Sequence, residues 1–291
     1  MTSRRIGLGT AQFGLPYGVA NKGGQVSRAA AAAILAHARV GGVDTLDTAI
    51  AYGDSETCLG EAGAHGFKIV TKLPAVPENV ADVGRWVHDQ THASLRRLSA
   101  SRLYGVLLHR SQTALGRDGE IVVLALEKLK ASGVVQKIGV SIYHPEELDL
   151  LWPRFHCDLV QAPYNILDRR LVTSGWLDKL KQSGAEVYAR SVFLQGLLLM
   201  DDAARPPYFD RWRPLWDQWR RWLAKNDLAP LQACLSFVLA RSEIDRVIVG
   251  VDSLEQLREA LSFADNAHRE PPADLASADL DLLDPSKWPA H

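Results

Sequence analysis

The sequence predicts an α/β protein that folds as one (β/α)₈ TIM barrel. Short apolar runs rich in β-branched residues alternate eight times with segments of helical period along the 291 residues. The runs are almost continuously apolar, as expected for parallel strands that helices cover on both faces. Because no shift in composition divides the chain, residues 1–291 are predicted to form a single domain, a usual length for such a barrel.

The predicted strands are short and spread along the whole chain. They are Ile6–Gly9, Val43–Asp47, Lys68–Lys72, Tyr104–His109, Lys137–Ser141, Asp158–Gln161, Glu186–Arg190 and Arg246–Gly250. The predicted helices between them are Ser27–Val40, Glu56–Ala64, Val80–Leu98, Glu120–Ser132, Pro145–Trp152, Leu171–Ser183, Ala229–Ala240 and Leu254–Phe263. This strict alternation is the pattern of a parallel barrel.

Capping residues support several helix boundaries. Ser27 suits the N-cap of the first helix, and Gly41-Gly42 would end it. Pro145 suits a first helical turn, whereas Gly133 and Gly184 follow the fourth and sixth helices at their C-caps.

The connection after the seventh strand is unusually long. An insertion at about 198–228 contains Pro206-Pro207 and four tryptophans, Trp212, Trp216, Trp219 and Trp222, at helical spacing. This spacing predicts an extra helix that packs its aromatic face on the barrel. Part of the loop could also form a wall of the substrate site, since long loops after strands belong to the active face. A tail at about 265–291 follows the last helix.

The charge balance and the composition argue against nucleic acids and membranes as partners. With 33 basic and 34 acidic residues the net charge is −1, and no basic stripe indicates a nucleic-acid partner. The apolar runs are too short to cross a bilayer. The three scattered cysteines suit a reducing cytosol, so we expect a cytoplasmic location. No segment predicts an obvious interface, and a monomer or weak oligomer is expected.

Four polar residues follow three successive predicted strands. Asp47 ends strand two and Tyr52 lies in the next loop, Lys72 ends strand three, and His109 ends strand four. The carboxyl ends of barrel strands meet at one mouth, so these side chains should be neighbours.

These four groups together suit proton transfer to a carbonyl. An ammonium near a phenol lowers the phenol pKa from its usual value of about 10, and Lys72 could do this for Tyr52. Asp47 could supply the counter-charge that a buried ammonium requires. His109 could hydrogen-bond the carbonyl oxygen.

Several segments together resemble one enzyme family, the aldo-keto reductases. They are Ile6–Gly14, Asp47–Glu56 with Tyr52 in it, Thr71-Lys72, Leu107–His109, Gly139–Ser141, Gln161–Asn165 and Gln195–Leu197, in the family's order as far as about Phe263. The resemblance implies an NAD(P)H-dependent barrel oxidoreductase acting on a small carbonyl substrate. It also implies that Tyr52 is the general acid and base.

The resemblance further implies which residues hold the cofactor. Ser141 and Gln161 would bind the nicotinamide carboxamide, while Gly250, Ser253 and Gln256 would lie beside the adenosine phosphate. A helix N-terminus there suits an anion. The glycine fingerprint of Rossmann proteins is not complete in Gly7–Gln12, so the cofactor would lie across the barrel mouth.

Three positions depart from the family pattern. Arg190, followed by Ser191, replaces the aromatic ring under the nicotinamide, although a guanidinium can also stack. Ile142 replaces a frequent asparagine. Asp252 occupies a position where members that prefer NADPH often carry a base, and its charge would repel a 2′-phosphate. The family therefore implies NADPH, whereas Asp252 favours NADH, and Arg258 one turn later could still reach a phosphate.

The substrate is not predicted beyond a pocket. Gln12, Phe13 and Phe193 are the expected substrate contacts, and Tyr164, Arg190 and the aromatic segment at 208–222 could add to them. A sugar, a sugar nucleotide or a plain aldehyde would each suit such a partly apolar pocket.

Other functions stay open. A non-catalytic barrel that binds nucleotide as a regulatory or partner subunit is the main alternative, and a cofactor-retaining isomerase is another. His88 and His92 have the spacing of metal ligands on a helix, as in metal-dependent hydrolases. They lie in the middle of the third helix, away from the active face, so no metal is expected.

Overall fold

The computed structural model describes residues 5–264 and 268–289. Eight parallel strands close into a barrel in chain order, and the last strand pairs with the first. They are β1 (Ile6–Gly9), β2 (Thr45–Asp47), β3 (Lys68–Leu73), β4 (Leu103–Leu108), β5 (Val135–Ser141), β6 (Leu159–Pro163), β7 (Glu186–Arg190) and β8 (Arg246–Gly250). The predicted (β/α)₈ fold is confirmed, with strand ends that differ by a few residues.

The described chain has twelve α-helical segments. They are α1 (Arg28–Val40), α2 (Ser55–Glu61), α3 (Val83–Arg97), α4 (Gln112–Leu115), α5 (Gly119–Ala131), α6 (Glu147–Leu151), α7 (Arg170–Thr173), α8 (Trp176–Gln182), α9 (Arg213–Asn226), α10 (Pro230–Leu239), α11 (Leu254–Ser262) and α12 (Leu280–Leu283). The predicted sixth helix is divided into α7 and α8, because Gly175 between them has a left-handed φ of 77°.

The predictions of helix boundaries are confirmed in part. The Ser27 hydroxyl accepts a hydrogen bond from the Ala30 N–H, and Gly133 and Gly184 follow their helices with φ of 77° and 81°. These three predictions are confirmed. α6 begins at Glu147 rather than at Pro145, so that helix start was wrong.

The inside of the barrel shows the two-residue period of strands. Val70, Leu107, Leu159, Tyr188 and Ile248 form one buried cluster inside it. Side chains two residues further along each strand point the same way, towards the mouth where the strands end. Those positions are Lys72, His109, Gln161, Arg190 and Gly250, so strand geometry alone brings the predicted site residues together.

The aromatic insertion forms an extra helix. Trp216, Trp219 and Trp222 are buried on one face of α9, as the spacing predicted. Trp219 donates to the Leu198 carbonyl at 3.2 Å, and its ring stacks on Trp222. Trp212 lies just before α9, in a 3₁₀ segment.

The C-terminal segment packs on this insertion. Trp288 meets the edge of Phe209, and Trp212 donates to the Asp279 carboxylate at 2.9 Å. Residues 265–267 of the predicted tail lie outside the described residues. Among the described helices none is long and apolar enough to span a bilayer. Cys58, Cys157 and Cys234 are buried, as expected for small core residues.

Candidate active site

A cavity of about 560 Å³ opens at the carboxyl ends of the strands. This volume lies within the usual range of small-molecule and cofactor sites. Most residues predicted from the sequence line it, namely Gln12, Asp47, Tyr52, His109, Ser141, Gln161, Arg190, Ser191, Phe193, Gly250, Asp252 and Gln256. Most of the predicted catalytic and cofactor residues therefore lie around one cavity, and Lys72 and Ser253 do not line it.

Lys72 and Asp47 form a buried ion pair beneath the cavity. Lys72 is 1% exposed, Asp47 is 4% exposed, and the Lys72 Nζ lies 2.7 Å from the Asp47 Oδ2. The Lys72 ammonium also donates to the Thr48 carbonyl at 2.9 Å. Burial lowers the pKa of Lys72, and the charge of Asp47 opposes that shift. The predicted counter-charge is therefore in contact with the ammonium.

Tyr52 is held by the turn that follows β2. Its N–H donates to the Ala49 carbonyl, and its carbonyl accepts from the Ser55 N–H, both at 3.0 Å. Gly53 has a φ of 54°, and a Cβ there would lie 2.4 Å from the Gly14 carbonyl oxygen. This backbone contact between two loops requires glycine at position 53 and fixes the phenol at the cavity wall.

Tyr52 lies beside His109 and above Lys72. The Tyr52 and His109 rings meet edge to face with centroids 5.7 Å apart, and the Lys72 Nζ is 5.1 Å from the Tyr52 ring centre. Three of the four predicted catalytic side chains are thus in direct contact, and Asp47 joins them through Lys72.

The pKa of Tyr52 moves in the direction opposite to the prediction. Burial raises it, and the negative charge of Asp47 raises it further. The Lys72 ammonium hydrogen-bonds Asp47 and Thr48, not the phenol, so its charge is largely compensated by Asp47. The predicted lowering of this pKa was therefore wrong. Tyr52 therefore holds its proton at neutral pH.

His109 is neutral in this setting. Burial lowers its pKa to about 3, and the charges of Lys72, Arg190 and Arg110 act in the same direction. A neutral imidazole can donate one N–H to an oxygen while its other nitrogen accepts. His109 can therefore orient a carbonyl, as its position after β4 predicted.

Gln161 is linked to the ion pair. Its Nε2 donates to the Asp47 Oδ1 at 2.7 Å, and its Oε1 accepts from the Ser141 hydroxyl at 3.4 Å. Both residues line the cavity, where the predicted carboxamide contacts would be made. Sequence reasoning missed the bond between Gln161 and Asp47, which lie 114 positions apart.

Arg190 is held by the loops after β5 and β7. Its Nη2 donates to the Ile142 carbonyl at 2.9 Å, and its Nη1 donates to the Ser191 hydroxyl at 3.0 Å. Its guanidinium lies 4.5 Å from the centre of the Tyr143 ring. Ser191 has a φ of 55°, a strained conformation for a residue other than glycine.

The other end of the cavity is made by β8 and α11. A Cβ on Gly250 would lie 2.7 Å from the Gln12 Nε2, so Gly250 and the Gln12 side chain pack too closely for a larger residue at position 250. Ser253 does not line the cavity, and its hydroxyl caps α11 by accepting from the Gln256 N–H. The Gln256 Oε1 accepts from the Asp252 N–H at 2.7 Å.

Asp252 bonds to the loop after β1. The Asn21 Nδ2 donates to its carboxylate at 3.1 Å, and burial raises its pKa. Arg258, which the sequence offered as an alternative phosphate contact, lies 4.0 Å from Glu255 at the surface. Asp252 and Glu259 are thus the acidic residues that line this end of the cavity.

Three suggested substrate contacts do not line the cavity, namely Phe13, Tyr164 and the aromatic segment at 208–222. Phe13 is 0% exposed and belongs to the core, so it cannot touch a ligand in the cavity. Gln12 lines the cavity because the two residues point apart in the 3₁₀ turn of Ala11–Phe13. Tyr164 stacks on Phe237 and, like the aromatic segment at 208–222, does not line it. Phe193, Gln195 and Leu199 do line it, so part of the long loop after β7 forms a wall of the cavity, as predicted.

Two tyrosines at the mouth of the cavity were not predicted from the sequence. Tyr17 lines the cavity, and its hydroxyl is 3.3 Å from the Gln195 Nε2. Tyr143 also lines it. A signal for Tyr143 existed, since it continues the two-residue period after Ser141.

The metal-hydrolase alternative lacks structural support. His88 and His92 have ring centroids 4.2 Å apart on α3, and His88 is exposed. Within residues 5–264 and 268–289, no group of three or more potential ligands is positioned to hold a metal ion.

Comparison with known proteins agrees with this architecture. The sequence model of the Aldo/keto reductase family matches residues 5–269. The chain belongs to this family. The resemblance that the motifs indicated is thereby confirmed, and with it an oxidoreductase.

Curated relatives of this aldo/keto reductase are distant. It is 26% identical to YqkF, an uncharacterized oxidoreductase of Bacillus subtilis, over 78% of the chain and 79% of that protein. It is 31% identical to the oxidoreductase YdhF of Escherichia coli, over 57% of the chain and 61% of that protein. A third relative is an NADH-specific methylglyoxal reductase of Escherichia coli, 25% identical over 97% of the chain and 94% of that protein.

Solved structures show the same fold. An aldo-keto reductase from Bacillus halodurans in its holo form superposes with a TM-score of 0.74 at 20% identity, over 93% of this chain and 89% of that one. A putative aldo-keto reductase from Pseudomonas aeruginosa superposes with a TM-score of 0.64 at 24% identity, over 89% of each chain.

Proposed function

We propose that this protein interconverts a carbonyl compound and an alcohol with NAD(P)H, and that Tyr52 is the proton donor and acceptor. The observation that carries the proposal is the arrangement of a protonated phenol and a neutral imidazole in one cavity, above a buried ion pair. Membership of the aldo/keto reductase family supports it.

The side chains have distinct roles in the proposal. His109 donates a hydrogen bond to the carbonyl oxygen and directs it towards Tyr52. Tyr52 gives its proton to that oxygen as the C=O bond is reduced, and recovers a proton afterwards. In the opposite direction an alcohol gives its proton to Tyr52. Lys72 lies below the phenol with Asp47 and stabilises the negative charge that Tyr52 carries after donation.

The cavity suits a dinucleotide. When bound, NAD(P)H supplies the hydride that the carbonyl carbon accepts. Ser141 and Gln161 would hold its carboxamide, and Arg190 and Ser191 would lie beside the ring and its ribose. Gly250, Asp252, Ser253 and Gln256 would meet the adenosine end, with Ser253 acting through its cap on α11.

We further propose NADH as the preferred cofactor. The Asp252 carboxylate faces the adenosine end, where it would repel a 2′-phosphate and could accept a hydrogen bond from a free 2′-hydroxyl. The relative from Escherichia coli described as NADH-specific agrees with this direction. A cytoplasmic location and a monomer or weak oligomer complete the proposal.

The test replaces the phenol with a phenyl ring. Tyr52→Phe should lower kcat for aldehyde reduction by about 10²–10⁴-fold, the usual contribution of a proton donor. The Kd for the cofactor should change little, because the ring remains. Tyr104→Phe is the matched control, because the Tyr104 hydroxyl binds Glu186 at the opposite end of the barrel.

Residual activity decides the assignment. If Tyr52→Phe keeps about a tenth of the wild-type kcat, Tyr52 is not the proton donor. If the unaltered protein binds nucleotide and reduces none of a panel of aldehydes, the regulatory-subunit alternative replaces the enzyme.

A further inference from the structure

Two arginines contact one tyrosine at the cavity mouth. The guanidinium carbon of Arg190 lies 4.5 Å from the Tyr143 ring centre, and that of Arg110 lies 5.3 Å from it. Arg110 directly follows His109 along the chain, and Arg190 ends β7. Two separate strands thus bring positive charge to the same aromatic ring in the wall of the cavity.

Neither guanidinium has an acidic partner among residues 5–264 and 268–289. Arg190 uses one N–H of each Nη on neutral oxygens, those of Ile142 and Ser191, and its Nε is buried without an acceptor. One N–H on each Nη is left for a ligand, since a guanidinium carries five N–H donors. Arg110 has its contact with the Tyr143 ring and no hydrogen-bond acceptor in that same part of the chain.

Other charges near the mouth are compensated. Lys72 pairs with Asp47 at 2.7 Å, and Arg170 pairs with Asp168 at 2.6 Å. The Glu147 carboxylate at the start of α6 accepts the Tyr143 and His144 N–H groups and the Ser111 hydroxyl. These donors are neutral, so the charge of Glu147 can offset only one of the two arginines. The two arginines at Tyr143 are therefore a local excess of positive charge beside the reacting groups.

This excess of positive charge lies near His109 and Tyr52, where a carbonyl would bind. The charges of both arginines contribute to the low pKa of His109, and the charge of Arg190 also reaches Tyr52. The acidic residues lining the opposite end of the cavity, Asp252 and Glu259, belong to the β8–α11 side. The cavity is thus positive beside His109 and negative beside α11.

We propose that the substrate is a carbonyl compound with an anionic group, a carboxylate or a phosphate, and that Arg110, exposed at the rim of the cavity beside Tyr143, binds this group while the nearby charge of Arg190 adds to the attraction. Guanidinium groups match both anions with paired N–H donors. The Tyr143 ring lies against both guanidinium groups, and its hydroxyl makes no hydrogen bond to any residue that the structure describes. This inference rests on the proposed carbonyl reduction, because it assigns the substrate class of that same site.

The test compares matched neutral and anionic aldehydes. 4-Carboxybenzaldehyde is measured against benzaldehyde, and glycolaldehyde phosphate against glycolaldehyde, each by kcat/KM at fixed saturating cofactor. The unaltered enzyme should prefer the anionic member of at least one pair by about tenfold or more, the usual effect of a charge-assisted hydrogen bond. The pair that shows the preference identifies the carboxylate or the phosphate.

Arg110→Gln should lower that preference by about tenfold. Arg102→Gln is the matched control, because Arg102 is exposed and precedes β4, roughly 20 Å away at the other end of the same strand. Equal kcat/KM for the two members of both pairs would overturn the inference while leaving the proposed reduction intact. The inference would also be overturned if Arg110→Gln raised the KM for the cofactor and left the preference for the anionic aldehyde unchanged.

A binding measurement separates the inference from the proposed function. Calorimetry with benzoate and benzyl alcohol on the cofactor-loaded protein needs no turnover. Tighter binding of benzoate that Arg110→Gln removes would support the anion site even if no aldehyde is reduced. Equal binding of the two compounds would count against it.

Discussion

The two ends of the cavity are built differently. At the strand end, Asp47, Lys72 and Gln161 project from β2, β3 and β6, are buried, and bind one another. At the loop end, Asp252 and Asn21 are partly exposed and join two loops through one hydrogen bond of 3.1 Å. Buried charges need their partners, whereas loop contacts can change at small cost. Under the proposed function, the residues that carry the chemistry are therefore fixed by the sheet, whereas the choice of cofactor depends on loop contacts that can change.

The largest expected effect comes from breaking the buried pair. Lys72→Met leaves the Asp47 carboxylate buried without its counter-charge, so unfolding free energy should fall by about 3–5 kcal/mol. Loss of the charge beneath Tyr52 should also lower kcat by about a hundredfold or more. Denaturant unfolding and aldehyde turnover measure the two effects.

A double variant serves as the control for this pair. Lys72→Met with Asp47→Leu removes both charges, and most of the lost stability should return while activity does not. A single variant that loses less than about 1 kcal/mol would show that the pair is not buried in the way the structure places it.

Substitutions at the loop end of the cavity should have smaller effects than those at the strand end. Asp252→Asn removes the negative charge and keeps the shape, so the ratio of kcat/KM for NADH over NADPH should fall by about tenfold. Glu255→Gln is the matched control, an exposed carboxylate in the first turn of α11. An unaltered enzyme that prefers NADPH by more than about a hundredfold would contradict the role given to Asp252.

His109, at the strand end beside Tyr52, gives the smallest effect. Its pKa of about 3 in the folded protein lies below the usual value near 6.5, so below pH 6.5 the unfolded chain binds a proton that the folded site excludes. Stability therefore falls as pH falls from 6.5. His109→Gln should remove about 1 kcal/mol of that loss between pH 6.5 and 5, after allowance for partial solvation.

The same pair of proteins at pH 7.5 provides the reference. Imidazole is ordinarily neutral there, so any difference between them at that pH is the pH-independent cost of losing the ring. Parallel curves of unfolding free energy from pH 7.5 to 5 would mean that His109 takes up a proton equally well in both states.

The sequence predicted the positions of the site better than its electrostatics. Lys72, His109 and Gln161 could be placed because strand order and the two-residue period fix both location and direction. The pKa of Tyr52 could not, since it depends on burial and on how far Asp47 compensates Lys72. Those quantities depend on packing between segments distant in sequence.

The other residues whose positions the sequence did not predict lie in loops. Gln12 and Phe13 are adjacent, and a 3₁₀ turn sends one to the cavity and the other to the core. Arg110 and Tyr143 meet across two loops that no local pattern relates. The aromatic spacing did predict α9, because a helical stripe of tryptophans carries its own period.

The last described segment touches the wall of the cavity indirectly. The Asp284 carboxylate lies 3.3 Å from the His144 Nε2, and the His144 Nδ1 is 2.8 Å from Arg170, which also donates to the Tyr143 carbonyl. A chain of contacts thus runs from Asp284 to the backbone of Tyr143, whose ring lies against Arg110 and Arg190. Under the proposed anion site, a change at position 284 would alter substrate choice without any residue of the mouth being replaced.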